Sequence, residues 1–181
     1  MDPQVTVRPV RVDDAVALTA LLVRNRTALA PWEPVRPDSY FTVEGQRVAL
    51  AEAQRHHERG EDHPGLVLVD GEPAGRMNLS HVVRGAAQSV SLGYWIDVDH
   101  QGRGVATAAV RAVLAVAFGE LGLHRVDAGT LVHNHASRRV LAKNGFTEIG
   151  LAPRSVRIAG RWQDHVLHQR LADDPGAPTA P

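Results

Sequence analysis

Between Gln101 and Ala106 the chain reads Gln-Gly-Arg-Gly-Val-Ala, and a helical repeat of apolar residues, Val105, Ala109, Val113 and Val116, starts at its end. Residues of these types in this order can hold a phosphate. Gly102 and Gly104 have no Cβ, so the backbone can turn sharply there and bring several N–H groups against an anion. The helix that follows adds the unpaired N–H groups of its first turn and the positive end of its dipole. Arg103 supplies a guanidinium that can pair with a phosphate or face water. The natural ligand is a pyrophosphate-bearing cofactor. A triphosphate-binding loop requires Lys-Ser or Lys-Thr after its last glycine, where Val105-Ala106 stands here. A dinucleotide fingerprint needs a small residue where Thr107 lies, and a place after the first strand instead of mid-chain.

Other residues can do chemistry in more than one way. Asn134 stands just before a short helical stretch and Ser137 in its first turn; capping alone accounts for the asparagine. Glu33 lies among Pro31, Pro34 and Pro37, either as a base or as a solvated loop carboxylate. Trp32 and Trp162 can line a substrate groove or simply seek burial. The ten histidines include His56-His57 and His133-Asn-His135. Adjacent residues on a helix do not share a face, and His133 and His135 lack a third ligand, so no metal is expected.

The elements that must position these residues alternate along the chain. Val5 to Pro9 reads as a strand, followed by a helix capped by Asp13 or Asp14 and running to about Arg24. Asn25 to Phe41 reads as a long loop, of the kind that meets substrate. Val43 to Arg59 reads as a helix, and Leu66 to Val69 with Glu72 to Ser80 as a hairpin turning at Asp70-Gly71. Gln88 to Ile96 is the next strand, and the helix from Val105 ends at Gly122. Arg125 to Val132 is strand-like and Ala136 to Lys143 helical. Phe146 to Ile158 and Trp162 to Leu171 form a last hairpin through Ala159-Gly160. Strands mixed with helices imply one α/β domain over residues 1–172, and residues 173–181, rich in Pro, Ala and Asp, read as a disordered tail.

Composition narrows the function classes. Twenty basic and twenty acidic side chains cancel, so no global field favours direct nucleic-acid or membrane contact. With no cysteine, disulfides, thiolate nucleophiles and Cys-type zinc sites are excluded. Neither a signal-like start nor a long apolar run is present, and a cytoplasmic location is expected. Whether the chain is a monomer or a homodimer is not readable, since an apolar helix face can bury in its own core or in a partner.

The run from Gln101 to Ala106 resembles the signature of the GNAT acyltransferase superfamily: Gln or Arg, two residues, Gly, any residue, then Gly or Ala. Asn134-His-Ala-Ser137-Arg-Arg-Val-Leu-Ala-Lys-Asn-Gly145-Phe146 is similar to that superfamily's second cofactor-contacting segment. Within the superfamily the chain looks like the ribosomal-protein-alanine N-acetyltransferases. It shares with them Asn25-Arg26, Leu29-Ala-Pro31-Trp32-Glu33-Pro34 and Asn78-Leu-Ser80-His-Val82-Val83-Arg84-Gly85. It also shares Gly160-Arg-Trp162-Gln-Asp164-His165-Val166-Leu167, and the likeness runs from Val5 to Leu171.

The resemblance implies a single GNAT-type domain whose central mixed, mostly antiparallel sheet of about seven strands is flanked by helices. The strand ending near Ile96 and the strand from Arg125 splay apart to admit coenzyme A. Backbone groups of Tyr94, Trp95 and Ile96 then meet the pantetheine arm. The pyrophosphate sits on the amides of Gly102, Gly104, Val105 and Ala106, with Gln101 and Arg103 alongside, and Asn134 and Ser137 add cofactor contacts. The implied reaction is direct attack of a primary amine on the acetyl thioester of acetyl-CoA, with no acyl-enzyme. Ser137 occupies the position of a proton donor to the leaving sulfur; many relatives place a tyrosine in this helix, but the only tyrosines here are Tyr40 and Tyr94. Glu33 is the candidate general base, because it follows Trp32 in the long loop and resembles the family's Trp-Glu-Pro; the sequence departs from those relatives that carry a carboxylate after the Gly-Phe, where Arg154-Ser155-Val156 stands here. Asn25, Arg26, Trp32, Asn78 and Arg84 are the expected acceptor contacts. The expected acceptor is the N-terminal α-amine of a protein, such as a ribosomal protein, whose unperturbed pKa of about 7.7–8.0 leaves a fair fraction neutral. A small amine or antibiotic is the alternative acceptor, and a non-catalytic coenzyme A-binding module in ribosome assembly the alternative role.

Overall fold

Strands β1 (Val5–Pro9), β2 (His63–Val69) and β3 (Glu72–Val83) begin the sheet by simple local rules. β2 and β3 are joined at Asp70 and Gly71, whose φ values of 51° and 89° suit a two-residue turn of the type that keeps strand twist. The computed structural model describes residues 3–178. The remaining strands are β4 (Ser89–Ile96), β5 (Arg125–Leu131), β6 (Thr147–Ile158) and β7 (Arg161–Leu171). Together they form one seven-stranded sheet in the order β1-β2-β3-β4-β5-β7-β6. Each neighbouring pair is antiparallel except β4 with β5. This is the mixed, mostly antiparallel sheet that the resemblance implied.

Alternation along the strands splits the core between two faces. Leu66 joins Leu18, Leu22 and Leu50 beneath helices α1 (Ala15–Leu29) and α2 (Val43–Glu58). Its neighbour Val67 joins Met77, Val90, Val110 and Leu141 beneath α3 (Val105–Ala115) and α4 (His135–Lys143). The sheet is therefore covered on both sides, and a polar side chain at its centre must find a partner or a cavity. α2 is capped by the Thr42 hydroxyl, which accepts from Gly45 N at 3.0 Å.

Several boundaries differ from the sequence reading; β2 begins at His63 and β3 runs to Val83, each three residues beyond the expected hairpin. α1 continues through Asn25 to Leu29, because no residue before Pro31 opposes a helix and the residue preceding a proline is the first that does. Asp14 does not cap that helix with its side chain; the carboxylate accepts from Arg11 N at 2.7 Å and pairs with Arg8. α3 passes into a π-helical turn, Val116–Glu120, before Gly122 takes φ 58°. At the C-terminus, residues read as the start of a tail make turns: Arg170 donates to Pro175 O at 2.8 Å, and Leu171 N donates to Asp174 at 2.9 Å. Residues 179–181 of that expected tail lie outside the described residues.

The site is positioned by a failure of pairing. β4 and β5 pair only over Ser89–Leu92 and Arg125–Ala128. Beyond that, Gly93 to Ile96 stay with β3, while Gly129 to Leu131 stay with β7. Each strand keeps its antiparallel partner and loses the other, so the sheet opens into a wedge at its centre. Gly75 allows the close approach of β3 to β4, since a Cβ there would stand 2.3 Å from Trp95 O.

Candidate active site

The loop before α3 adopts the geometry its glycines permit. Gly102 and Gly104 take φ 72° and 80°, a region that disfavours every residue with a Cβ. No atom lies within 4 Å of where either Cβ would stand, so the space over the loop is open. Gly104 occupies the N-cap position and no side chain caps the first turn, which leaves the N–H groups at Val105 and Ala106 available to an anion. Arg103 is exposed, and the side chain of Gln101 turns inward to donate to Ile96 O at 3.1 Å. Open space, free N–H groups and a nearby guanidinium suit a diphosphate.

At the open wedge the backbone of β4 presents alternate groups. Asp97 N donates across to Ala74 O on β3 at 2.9 Å. By strand alternation Trp95 also turns its backbone toward β3, and Tyr94 and Ile96 turn theirs toward the gap. Two expectations change here. Trp95 meets the cleft through its side chain, its backbone being committed to the sheet, and the Ile96 carbonyl is occupied by Gln101. Tyr94 alone of the three keeps its gap-facing N–H and C=O without a partner among the described residues.

The cleft beside the wedge has a volume of about 590 Å³. It gathers Trp32, Glu33, Asn78, Tyr94, Asn134 and Ser137, drawn from α1's following loop, β3, β4 and α4. Asn134 caps α4 by accepting from Ser137 N at 3.1 Å, so the dull explanation of the asparagine holds whatever else it does. That cap fixes the first turn and directs the Ser137 hydroxyl at Tyr94. The two oxygens lie 2.8 Å apart, and either can donate. Burial pushes the Tyr94 phenol up to about 12, with the Ser137 hydrogen bond pulling the other way. The phenol therefore stays protonated across the physiological range.

Glu33 lines the same cleft. Burial raises its carboxyl above the usual range and the nearby Arg36 partly opposes this, the direction that makes a carboxylate a better proton acceptor. Its carbonyl accepts from Ala159 N at 2.9 Å, which fastens the loop to the β6–β7 hairpin. Ala159 and Gly160 turn that hairpin with φ 48° and 78°. Val156, Ile158 and His165 of the hairpin complete the cleft wall. Trp32 packs on His133, ring centroids 5.5 Å apart.

Three expected acceptor contacts do not reach this cleft. Asn25 is fully buried in α1. Its Nδ2 donates to Leu21 O and to Asp97 Oδ1, at 2.9 and 2.8 Å, and its Oδ1 accepts from Val98 N at 2.9 Å. No polar atom is left for a substrate; the residue ties α1 to the end of β4. Arg26 pairs with Asp38 and lies 4.2 Å over the Phe41 ring, beside a smaller neighbouring pocket. Arg84 donates to Leu121 O, closing the carbonyl end of the π-helical turn. Sequence reasoning also missed residues that do line the cleft: the Tyr94 side chain, Arg36, Tyr40, Gln46, Arg76 and His165. The alternation of β3, with Arg76 and Asn78 on one face and Met77 and Leu79 on the other, was the available signal for Arg76. Among the described residues no three His, Cys, Asp or Glu side chains gather as a metal site; His56 instead pairs with Glu61 at 2.7 Å.

Comparison with known proteins places this geometry. The Acetyltransferase (GNAT) domain family matches residues 4–147. A probable N-acetyltransferase, YjcK, of Bacillus subtilis is 41% identical over 170 residues, covering 93% of this chain and 94% of that one. The [ribosomal protein uS5]-alanine N-acetyltransferase of Escherichia coli is 36% identical over 166 residues, covering 91% and 86%. The structure of Mycobacterium smegmatis RimJ in complex with CoA-disulfide superimposes with a TM-score of 0.92 at 32% identity, covering 95% and 84%.

Proposed function

The chain belongs to the GNAT acetyltransferase family, and from that premise we propose that it acetylates the N-terminal α-amine of a protein, a ribosomal protein in the first instance. It is an acetyl-CoA-dependent N-acetyltransferase related to the ribosomal-protein acetyltransferases. The residues at the glycine loop and the wedge suit coenzyme A: Gly102 to Ala106 would hold the pyrophosphate, Tyr94 the pantetheine amides. Bound there, acetyl-CoA supplies an activated acetyl thioester.

The observation that carries the catalytic reading is the Ser137–Tyr94 pair at the open end of the wedge, lining one cleft with Glu33. Glu33 takes the proton of the acceptor amine, directly or through water, aided by its raised pKa. Ser137 Oγ holds the proton destined for the leaving sulfur, and the Tyr94 hydroxyl at 2.8 Å keeps the serine in place. An α-amine needs only such modest help, whereas a lysine amine near about 10.4 needs more. This pair also favours chemistry over a non-catalytic module. Against a polycationic acceptor, the cleft sets two guanidiniums, Arg36 and Arg76, beside one carboxylate, Glu33.

The relatives' ribosomal substrates support a cytoplasmic site of action, and no helix among the described residues is long and apolar enough to cross a membrane. The test is thiol release from acetyl-CoA in the presence of N-terminal peptides of ribosomal proteins, the same peptides with blocked N-termini, and polyamines. Release only with free N-termini, with the acetyl group located there by mass spectrometry, is expected. Release with polyamines alone would move the acceptor to small amines.

A further inference from the structure

Arg76 has no part in the proton transfers above, and the fold does not neutralise it. It sits in mid-sheet on β3, opposite Leu66 of β2 and Trp95 of β4. Its side chain therefore leaves the sheet on the face covered by α1 and α2. Nη2 donates to Asn78 Oδ1 at 3.0 Å, whereas Nε is shut off from solvent and has no partner. No carboxylate is paired with the guanidinium among the described residues, although Asp14 and the Tyr40 phenol lie near enough to oppose the downward pull of its burial. Arg76 is half-buried and reaches the cleft; an Nε left without a partner inside the fold is unfavourable, and a position that needed only packing would carry an apolar residue.

The same guanidinium lines the cleft that holds Ser137 and Glu33. Exposed Arg36 lines it too, its guanidinium 4.8 Å from the Tyr40 ring and without a salt bridge among the described residues. The charged side chains facing this cavity are thus two arginines and Glu33, in a chain whose acidic and basic residues otherwise balance. Glu33 cannot serve both as base and as partner to Arg76. The anion must come from the acceptor.

We propose that Arg76, assisted by Arg36, is a specificity-determining residue that binds a carboxylate carried by the acceptor next to the amine being acetylated. The inference rests on the reading of this cleft as the acceptor site of an amine acetyltransferase. That carboxylate can be the side chain of an acidic residue following the N-terminal residue of a peptide, or the α-carboxylate of a single amino acid. Guanidinium recognises both through paired charge-assisted hydrogen bonds.

Initial rates with peptides beginning Ala-Glu, Ala-Gln and Ala-Lys, and with alanine against alaninamide, compare the wild type with Arg76→Gln and Arg76→Lys. The wild type is expected to favour the Glu over the Gln peptide by about tenfold or more in kcat/KM. Arg76→Gln should bring that ratio close to unity through a fall in kcat/KM for the Glu peptide, and Arg76→Lys should restore part of the preference. An Arg76-dependent preference for alanine over its amide, with no peptide turned over, would assign the α-carboxylate and overturn only the protein N-terminus. Equal rates in the wild type, or an unchanged ratio in Arg76→Gln, would overturn the proposal and leave acetyl transfer standing. Calorimetric titration with the N-acetylated Glu and Gln peptides reads the subsite without turnover. Discrimination lost in Arg76→Gln supports it even where no acceptor is acetylated, and absence of discrimination refutes it.

Discussion

Replacing Tyr94 by Phe removes one oxygen from the cleft and nothing else. The ring is half-buried against the core, so a volume-conserving change leaves the fold intact. What is lost is the 2.8 Å hydrogen bond with Ser137 Oγ and the longer one, 3.4 Å, that the hydroxyl donates to the Ser137 carbonyl. A neutral hydrogen bond of this kind contributes about 0.5–1.5 kcal/mol, which corresponds to roughly 2- to 12-fold in rate if Tyr94 does no more than hold the serine. Ser137→Ala removes the donor itself and should lower kcat by about 100-fold or more, with little change in KM for acetyl-CoA. If both act through the one hydrogen bond, the double variant is no worse than Ser137→Ala alone, and the cycle returns a coupling of about 1 kcal/mol. The assay is thiol release at saturating acetyl-CoA and peptide, with single-turnover measurement to isolate the chemical step. Because the Tyr94 phenol is pushed up to about 12 by burial, no alkaline limb from it should enter the wild-type profile at ordinary assay pH. A Ser137→Ala enzyme within threefold of wild type, or a Tyr94→Phe enzyme more crippled than Ser137→Ala, would refute the assignment; the second result would make the phenol the donor.

Gly104→Val places a β-branched residue at φ 80° and should cost about 1–3 kcal/mol, a fall in Tm of roughly 2–10 °C, with a rise in KM for acetyl-CoA of about tenfold or more. Gly71→Val, at φ 89° in a distant turn, is the control that carries the strain and spares KM; equal KM effects would show that the glycine loop is not the phosphate site. Asn25→Ala deletes three buried hydrogen bonds and should destabilise by about 3 kcal/mol in denaturant titration while the acceptor KM stays within twofold. A large acceptor KM effect at unchanged stability would return Asn25 to the substrate site. For Glu33, burial raises the carboxyl pKa, so the basic form is lost as pH falls through a value above the ordinary one, about 4.3. The acidic limb of kcat/KM should lie above that value in the wild type and disappear in Glu33→Gln along with about 100-fold of rate; a limb that persists in Glu33→Gln belongs to another group.

What was legible in the sequence was whatever is decided within a few residues. Gly102 and Gly104 mark positive φ by their own chemistry, Asn134 marks a cap, and Asp70-Gly71 and Ala159-Gly160 mark tight turns. The wedge was available only through the family resemblance, because it arises where β4 and β5 each follow a different antiparallel partner. Asn25 was misjudged for a local reason, since ending α1 at Arg24 turned a buried helix residue into a loop residue. Tyr94 was noticed only for its backbone because its partner hydroxyl is 43 residues away, at a meeting that two elements fix jointly.

The choice of arginine carries the same lesson further. Arg84 sits beside a glycine in a motif shared with relatives and attracts notice, yet its guanidinium merely closes a helix end. Arg76 sits in a strand whose alternation marks which face it shares with Asn78 but not what covers that face, so the two read as the wet face of an ordinary antiparallel strand. That reading fails once α1 and α2 are seen to cover that face. A sheet packed on both sides exposes no wet face at its centre, so an arginine there must be paired by the fold or kept for something the fold lacks. Asn78 satisfies one of its nitrogens, and nothing among the described residues satisfies Nε. A purely structural arginine would gain stability from a carboxylate neighbour within reach. In this cleft the one carboxylate, Glu33, is the proposed base for the amine, and a guanidinium left over beside it is what a carboxylate-bearing acceptor requires.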